Sequence, residues 1–174
     1  IIEAWIEALL APARRKNDRR AQHVRLAFGL ETLEGAQRGD IPSVAAALGV
    51  TPQAIYISLG RARERWAEHA FLGTLREAVG AALASLGDLG RLDRVASALP
   101  AFLPHAAGQA ADEGAPIRAA ALVRVVGEVS DELVMERIRA EHWLAASSEH
   151  LAAARRLGSA ADELADRDPL PSSD

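Results

Sequence analysis

The chain has 174 residues, 49% of them apolar, with no cysteine and a formal net charge of −4. That length holds one or two small domains with ample core, and the lack of cysteine excludes disulfides and thiolate metal sites, as suits a cytoplasmic protein. No apolar run approaches the roughly 20 residues of a membrane span, and the start is amphipathic and acidic, unlike a secretory leader; without an initiator Met, the chain reads as a segment of something longer.

Ile1 to about Leu10 is predicted to be a helix with Ile2, Trp5, Ile6 and Leu9 on one face. Arg14 to Arg20 is a basic connector. A helix from Asp18 to about Leu30 opens a three-helix unit, with Val24, Ala27 and Phe28 inward, and residues 31–39 form a loop. Asp40 can cap a helix that begins at Ile41-Pro42. Gly49 stands where that helix must stop and φ must turn positive. Thr51 can cap the next helix through its hydroxyl, and Pro52 fits its first position, which needs no N–H. Ile55, Leu59, Ala62 and Trp66 then recur at i, i+4, i+7 and i+11, one helix face running to about Glu68. Val44, Leu48 and Val50 supply the facing apolar surface, and Ala45 is small enough for a close helix approach. Cap, turn and spacing agree on a helix-turn-helix.

A second unit follows. Phe71, Leu72, Leu75, Val79, Leu83 and Leu86 mark a helix ending at Gly87, and Gly87–Gly90 reads as a turn. Leu92, Val95, Ala96 and Leu99 mark a short helix stopped by Pro100 or Pro104. After a loop over 105–114 comes a helix from Pro116 to Val129, with Ala120, Leu122, Val123 and Val126 apolar. Leu133–Ser147 alternates in the manner of a β-hairpin turning near Ala140, with helix as the alternative. Three helices followed by a hairpin make a winged helix. Ser148 is expected to cap a last helix with Leu151, Leu157, Ala160 and Leu164 inward. The fold class is therefore mainly α: a helix-turn-helix unit over 1–69, a winged-helix-like unit over 70–166, and a linker over 167–174.

Charge separates the halves. Residues 1–66 carry ten Arg/Lys against seven Asp/Glu, whereas residues 67–174 carry ten against seventeen. Arg14, Arg15, Lys16, Arg19, Arg20 and Arg25 cluster with only Asp18 opposing them. Such a cluster neutralises phosphates beside a duplex, or else is a solvated connector. On the helix-turn-helix, Pro52, Gln53, Tyr56, Ile57 and Gly60 should face outward. Gln53 can read adenine, and Tyr56 can reach a phosphate or a thymine methyl. The Tyr56-Ile57 pair suits a protein contact equally well. Arg61, Arg63 and Arg65 can serve phosphates or pair with Glu64 and Glu68 along the helix. Five histidines are scattered, three directly after a Glu, and neighbours on a helix do not converge. No metal-ligand spacing, phosphate-cradling loop or catalytic constellation is present, so no enzyme activity, cofactor or metal is expected.

The stretch from about 18 to 68, down to the trailing Arg61-Ala-Arg63-Glu-Arg65, resembles the helix-turn-helix of region 4 of bacterial sigma factors. More widely, three stretches carry a second likeness. They are Arg14 to Leu30, Val44 to Thr51 with Leu59-Gly-Arg-Ala-Arg-Glu-Arg-Trp66, and Leu151-Ala-Ala-Ala-Arg-Arg-Leu-Gly158 with Asp168-Pro-Leu-Pro171. Together they resemble the W-component serine/threonine kinase of phage-growth-limitation and BREX-type phage-defence systems. The resemblance implies helix-turn-helix and winged-helix repeats following a kinase domain. The kinase motifs themselves are absent from this chain. It therefore implies a non-catalytic regulatory or scaffolding segment that binds a partner subunit, the rest of its parent chain or duplex DNA. A transcription-regulator fragment is the alternative.

Overall fold

A computed structural model of the chain describes residues 1–10, 19–104, 113–138 and 141–167, the last seven by their backbone alone. In chain order the elements are α1 (Ile2–Leu9), α2 (Arg19–Ala27), α3 (Ile41–Leu48), α4 (Pro52–Ala67) and α5 (Leu72–Ala84). Then follow β1 (Leu89–Arg91), α6 (Leu92–Ala98), a 3-10 turn (Leu99–Phe102), α7 (Ala115–Val129), β2 (Val134–Ile138), β3 (Glu141–Ala145) and α8 (Ser148–Arg167). The fold is mainly helical with one small antiparallel sheet, in the order β1-β3-β2. Among the described residues no single helix is long and apolar enough to cross a membrane.

Local chemistry sets α3 and α4. The Asp40 carboxylate accepts the Ser43 N–H at 3.0 Å, which satisfies one of the free donors at the start of α3. Gly49 ends the helix at φ 66°, a left-handed conformation that favours glycine. Thr51 Oγ1 accepts the Ala54 N–H at 3.3 Å, and Pro52 opens α4. The two helix axes turn through 114° between them. Ile55, Leu59, Ala62 and Trp66 are buried as their spacing requires, and Ala45 is fully buried opposite them.

The hairpin expected over 133–147 is present: Val134 pairs with Ala145 and Met135 with Leu144, and the turn residues 139 and 140 lie outside the described residues. Gly127 lets α7 approach this hairpin, because a Cβ there would sit 3.0 Å from Met135 Sδ. The expected turn over Gly87–Gly90 needs correction. Gly87 and Asp88 take positive φ, and the chain then extends into β1, pairing Leu89 with Ala145. Three residues are too few to show an alternating pattern. Helix α5 accordingly ends at Ala84, and Leu86 is exposed. Pro100 stops α6 but then lies in the first turn of the 3-10 segment.

The last helix also differs. Ser147, one residue before the expected cap, accepts the His150 N–H at 3.4 Å. Leu151 is buried, whereas Leu157 is 73% exposed and Ala160 is exposed, because the described contacts of α8 lie in its first half, on β3 and, through the Arg155–Glu136 ion pair, on β2. The side chain of Leu164 and the expected linker beyond 167 lie outside the described residues.

One continuous core runs from Ile2 to Leu144 and joins the two expected units. Helix α7 is its spine: Ala119, Ala121, Leu122, Val123, Val125 and Val126 are all buried, and the helix packs on α1, α4, α5 and α6. The stretch 119–123 is apolar on every side of the helix, and such a stretch belongs in a core. Trp5 stacks on Phe71 at 5.3 Å, and the Trp66 indole N–H donates to Leu9 O at 2.7 Å. The Arg124 guanidinium reaches from α7 to Ala27 O at 2.6 Å. A shared core should unfold as one unit, so urea transitions followed by tryptophan fluorescence and by far-ultraviolet circular dichroism should coincide. Arg124→Ala should lower the unfolding free energy by about 1–3 kcal/mol, the cost of leaving a buried acceptor without its donor, read as a lower urea midpoint with both probes still coincident.

Candidate nucleic-acid or partner interface

The outward face of α4 is open. Pro52 and Gln53 are exposed, Tyr56 and Ile57 are 48% and 52% exposed, and Gly60 is half-buried. The face is presented because the opposite stripe, Ile55, Ser58, Leu59, Ala62 and Trp66, is locked into the core. Arg14, Arg15 and Lys16 lie outside the described residues. Arg19 and Arg20 occupy the first turn of α2 and are exposed. Arg25, counted with the basic cluster, is instead tied inward: its Nε donates to Glu31 at 2.5 Å and its Nη1 to Leu10 O at 2.5 Å.

The arginines of α4 divide by flank. Arg63 does not pair along its own helix as the spacing allowed; it forms an ion pair with Glu128 of α7. Arg61 and Arg65 are exposed on the other flank, and neither pairs with Glu64 or Glu68. Together with Arg20 and Ala21 of α2, and with Ser58 and Glu64, they line a cleft of about 410 Å³. Arg61 and Arg65 share a face because they are four apart. Arg20 joins them only because α2 packs across α4, which no local pattern reveals.

The wall of that cleft is held by a buried pair. His23 Nδ1 lies 3.0 Å from Ser58 Oγ, and Ser58 donates to Ala54 O at 3.0 Å. With its proton given to Ala54, the hydroxyl accepts from His23, which fixes the Nδ1–H tautomer. Burial holds the His23 pKa below its ordinary 6.5, and Arg19 repels the cation further.

A second polar group lies where α4, α7 and the hairpin meet. The buried Arg124 guanidinium sits 4.7 Å over the Phe28 ring, and its Nε is 3.8 Å from Glu128. Arg137 of β2 reaches the Asp40 carboxylate at 3.1 Å and so ties the hairpin to the start of α3. Burial lowers the His142 pKa, and Arg124 and Arg137 lower it further against Glu128. Sequence reasoning passes over Arg124 and Glu128; the available signal is a cation inside the apolar run from Ala119 to Val126.

Among the described residues no group of three or more His, Asp or Glu side chains gathers to hold a metal ion. His69 packs against Phe71, His150 meets Ser147, and His105 lies outside the described residues. Comparison with protein families, curated proteins and solved structures finds no match to this chain.

The pH dependence of stability follows from His23. Its folded-state pKa is depressed, so the unfolded chain takes up the proton first, and stability falls as pH drops from 6.5 through the lower folded value. Unfolding free energies measured from about pH 7.5 to about pH 5 should decline on the acid side. His23→Gln should flatten part of that decline, and His142→Gln another part.

Proposed function

We propose that this chain is a non-catalytic recognition segment that binds duplex nucleic acid through the outward face of α4, within a larger cytoplasmic phage-defence protein of the kinase-bearing type that its sequence resembles. One observation carries the reading. Helices α3 and α4 meet at 114° across a left-handed Gly49, and the outward side of α4 is uncovered from its first turn. That is the arrangement by which a helix-turn-helix lays its second helix in a major groove, with N-terminal residues at the base edges.

The second half supports the same assignment by contrast. Its order of α5, β1, α6, α7, β2 and β3, with β3 central in the sheet, supports reading it as a winged helix. Yet α7, which on this reading holds the place of its recognition helix, has its middle, residues 121–126, wholly buried. The winged-helix-like half is therefore read as the scaffold and the first half as the reader. Ile57 and Gly60 offer a base edge no hydrogen bond, so selectivity among duplex sequences is weak and rests on Gln53 at an adenine and Tyr56 at a thymine methyl.

Contact with a protein partner is the second reading, favoured by the half-exposed apolar neighbours Tyr56 and Ile57. Fluorescence anisotropy with a labelled duplex over a salt series separates the two. Duplex binding should weaken steeply with salt, and Gln53→Ala should cost about 1–3 kcal/mol only on sequences whose adenine it reads. If instead the duplex is ignored at every salt concentration while Ile57→Asp abolishes association with a partner subunit, the protein reading replaces this one. The purified segment should show no saturable ATP turnover; turnover abolished by one point substitution would refute the non-catalytic assignment.

A further inference from the structure

We infer that the cleft between α2 and α4 is a phosphodiester clamp in which Arg20, Arg61 and Arg65 hold backbone phosphates of the nucleic acid. The inference rests on the reading of α4 as a nucleic-acid-binding helix and locates where the backbone runs. Its basis is a contrast among arginines. Arg25, Arg63, Arg91, Arg118, Arg124, Arg137 and Arg155 each lie within ion-pair reach of a carboxylate. Arg20, Arg61 and Arg65 line one cleft with a single carboxylate, Glu64, and none of the three has an ion pair among the described residues; Arg19, Arg38, Arg76, Arg94 and Arg156 have none either, so it is their gathering in one cleft that sets these three apart.

Three guanidinium groups around one carboxylate repel one another unless an anion joins them. The planar fork of each matches two phosphate oxygens, so charge-assisted, bidentate bonds are available from both helices. The remaining polar side chain of the lining, Ser58, is already engaged by His23 and Ala54 O, so the wall is fixed and the arginines supply the donors. Arg20, Arg61, Glu64 and Arg65 are all exposed, so the cleft opens to solvent. A volume of about 410 Å³ with that opening suits a strand passing along it better than an enclosed mononucleotide. Arg63, on the opposite flank, is already matched by Glu128, so the backbone follows the α2 side of α4.

The test uses anisotropy of a fluorescein-labelled duplex of about 20 base pairs and mixed sequence, with the whole chain, over a salt series. Arg61→Ala/Arg65→Ala should weaken binding about tenfold or more at low salt and reduce the log–log salt slope by about 2, one for each phosphate no longer neutralised. Arg94→Ala/Arg156→Ala, the same charge change on exposed residues of α6 and α8, should leave that slope unchanged. Glu64→Gln, which removes the one carboxylate, should tighten binding by about two- to fivefold, a gain that misfolding cannot mimic. Inorganic pyrophosphate should compete only weakly if the ligand is a strand and strongly if the cleft takes free phosphates, which would overturn the strand assignment. If the wild-type chain binds duplex but the two double variants lose equal slope and Glu64→Gln gains nothing, the clamp is wrong and the α4 reading stands. If the wild-type chain binds no duplex even at low salt, both fall together.

Discussion

The structure turns on the arginine that α7 sends into the first half of the chain. Arg124 is 8% exposed, and a guanidinium that far from water is costly unless opposite charge and acceptors meet it; its Nε has no hydrogen-bond partner and relies on the nearby carboxylate. Phe28 offers its ring face at 4.7 Å, Ala27 its carbonyl at 2.6 Å, and Glu128 a carboxylate one helical turn away. Phe28 in turn meets Trp66 edge-on at 5.5 Å, and the Trp66 indole N–H closes on Leu9 O. Cation, ring, ring and carbonyl thus form one line of contact through α7, α2, α4 and α1. Pulling the halves apart would strip Arg124 of the Phe28 ring and the Ala27 carbonyl, and that carbonyl of its donor.

That line decides which surfaces remain for a ligand. To bring Arg124 and Glu128 to the joint, α7 must lie across both halves, and its residues 121–126 are all buried. Glu128 then takes Arg63, which settles one flank of α4 against the body. The N-terminal half of α4 and its flank toward α2 stay uncovered. The hairpin, fastened to Asp40 by Arg137, completes the support behind α3, and the same carboxyl group caps that helix. On the proposed reading, recognition falls to α4 and support to α7.

Legibility in the sequence follows the range of the interactions. Asp40, Gly49, Thr51 and Pro52 act on groups within a few residues, and each does what its position requires. The hairpin is readable because five residues on each side alternate, while β1 is not, being three residues that extend only because β3 offers a free edge. Leu157 keeps helical spacing with Leu151 and so reads as buried, yet spacing reports a stripe and not a partner, and α8 leaves the body after its first turns. Gln53, Tyr56 and Ile57 face outward as expected, since the core stripe of α4 fixes its opposite side. Arg63 reads as a helix-surface cation because its true partner, Glu128, lies 65 residues away.

The sequence by itself determined where α3 starts and stops and where α4 starts, which face of each is apolar, and that the first half carries the basic excess. Capping, turn conformation and side-chain period are properties of neighbouring residues and need nothing distant. Only the tertiary structure decided which cations are neutralised and which are left open. Arg25, Arg63 and Arg124 found carboxylates or carbonyls on other elements, while Arg20, Arg61 and Arg65 line one open cleft. Charge acts through space at the separations that packing sets, so the pairing of these arginines is fixed by how α2, α4 and α7 cross.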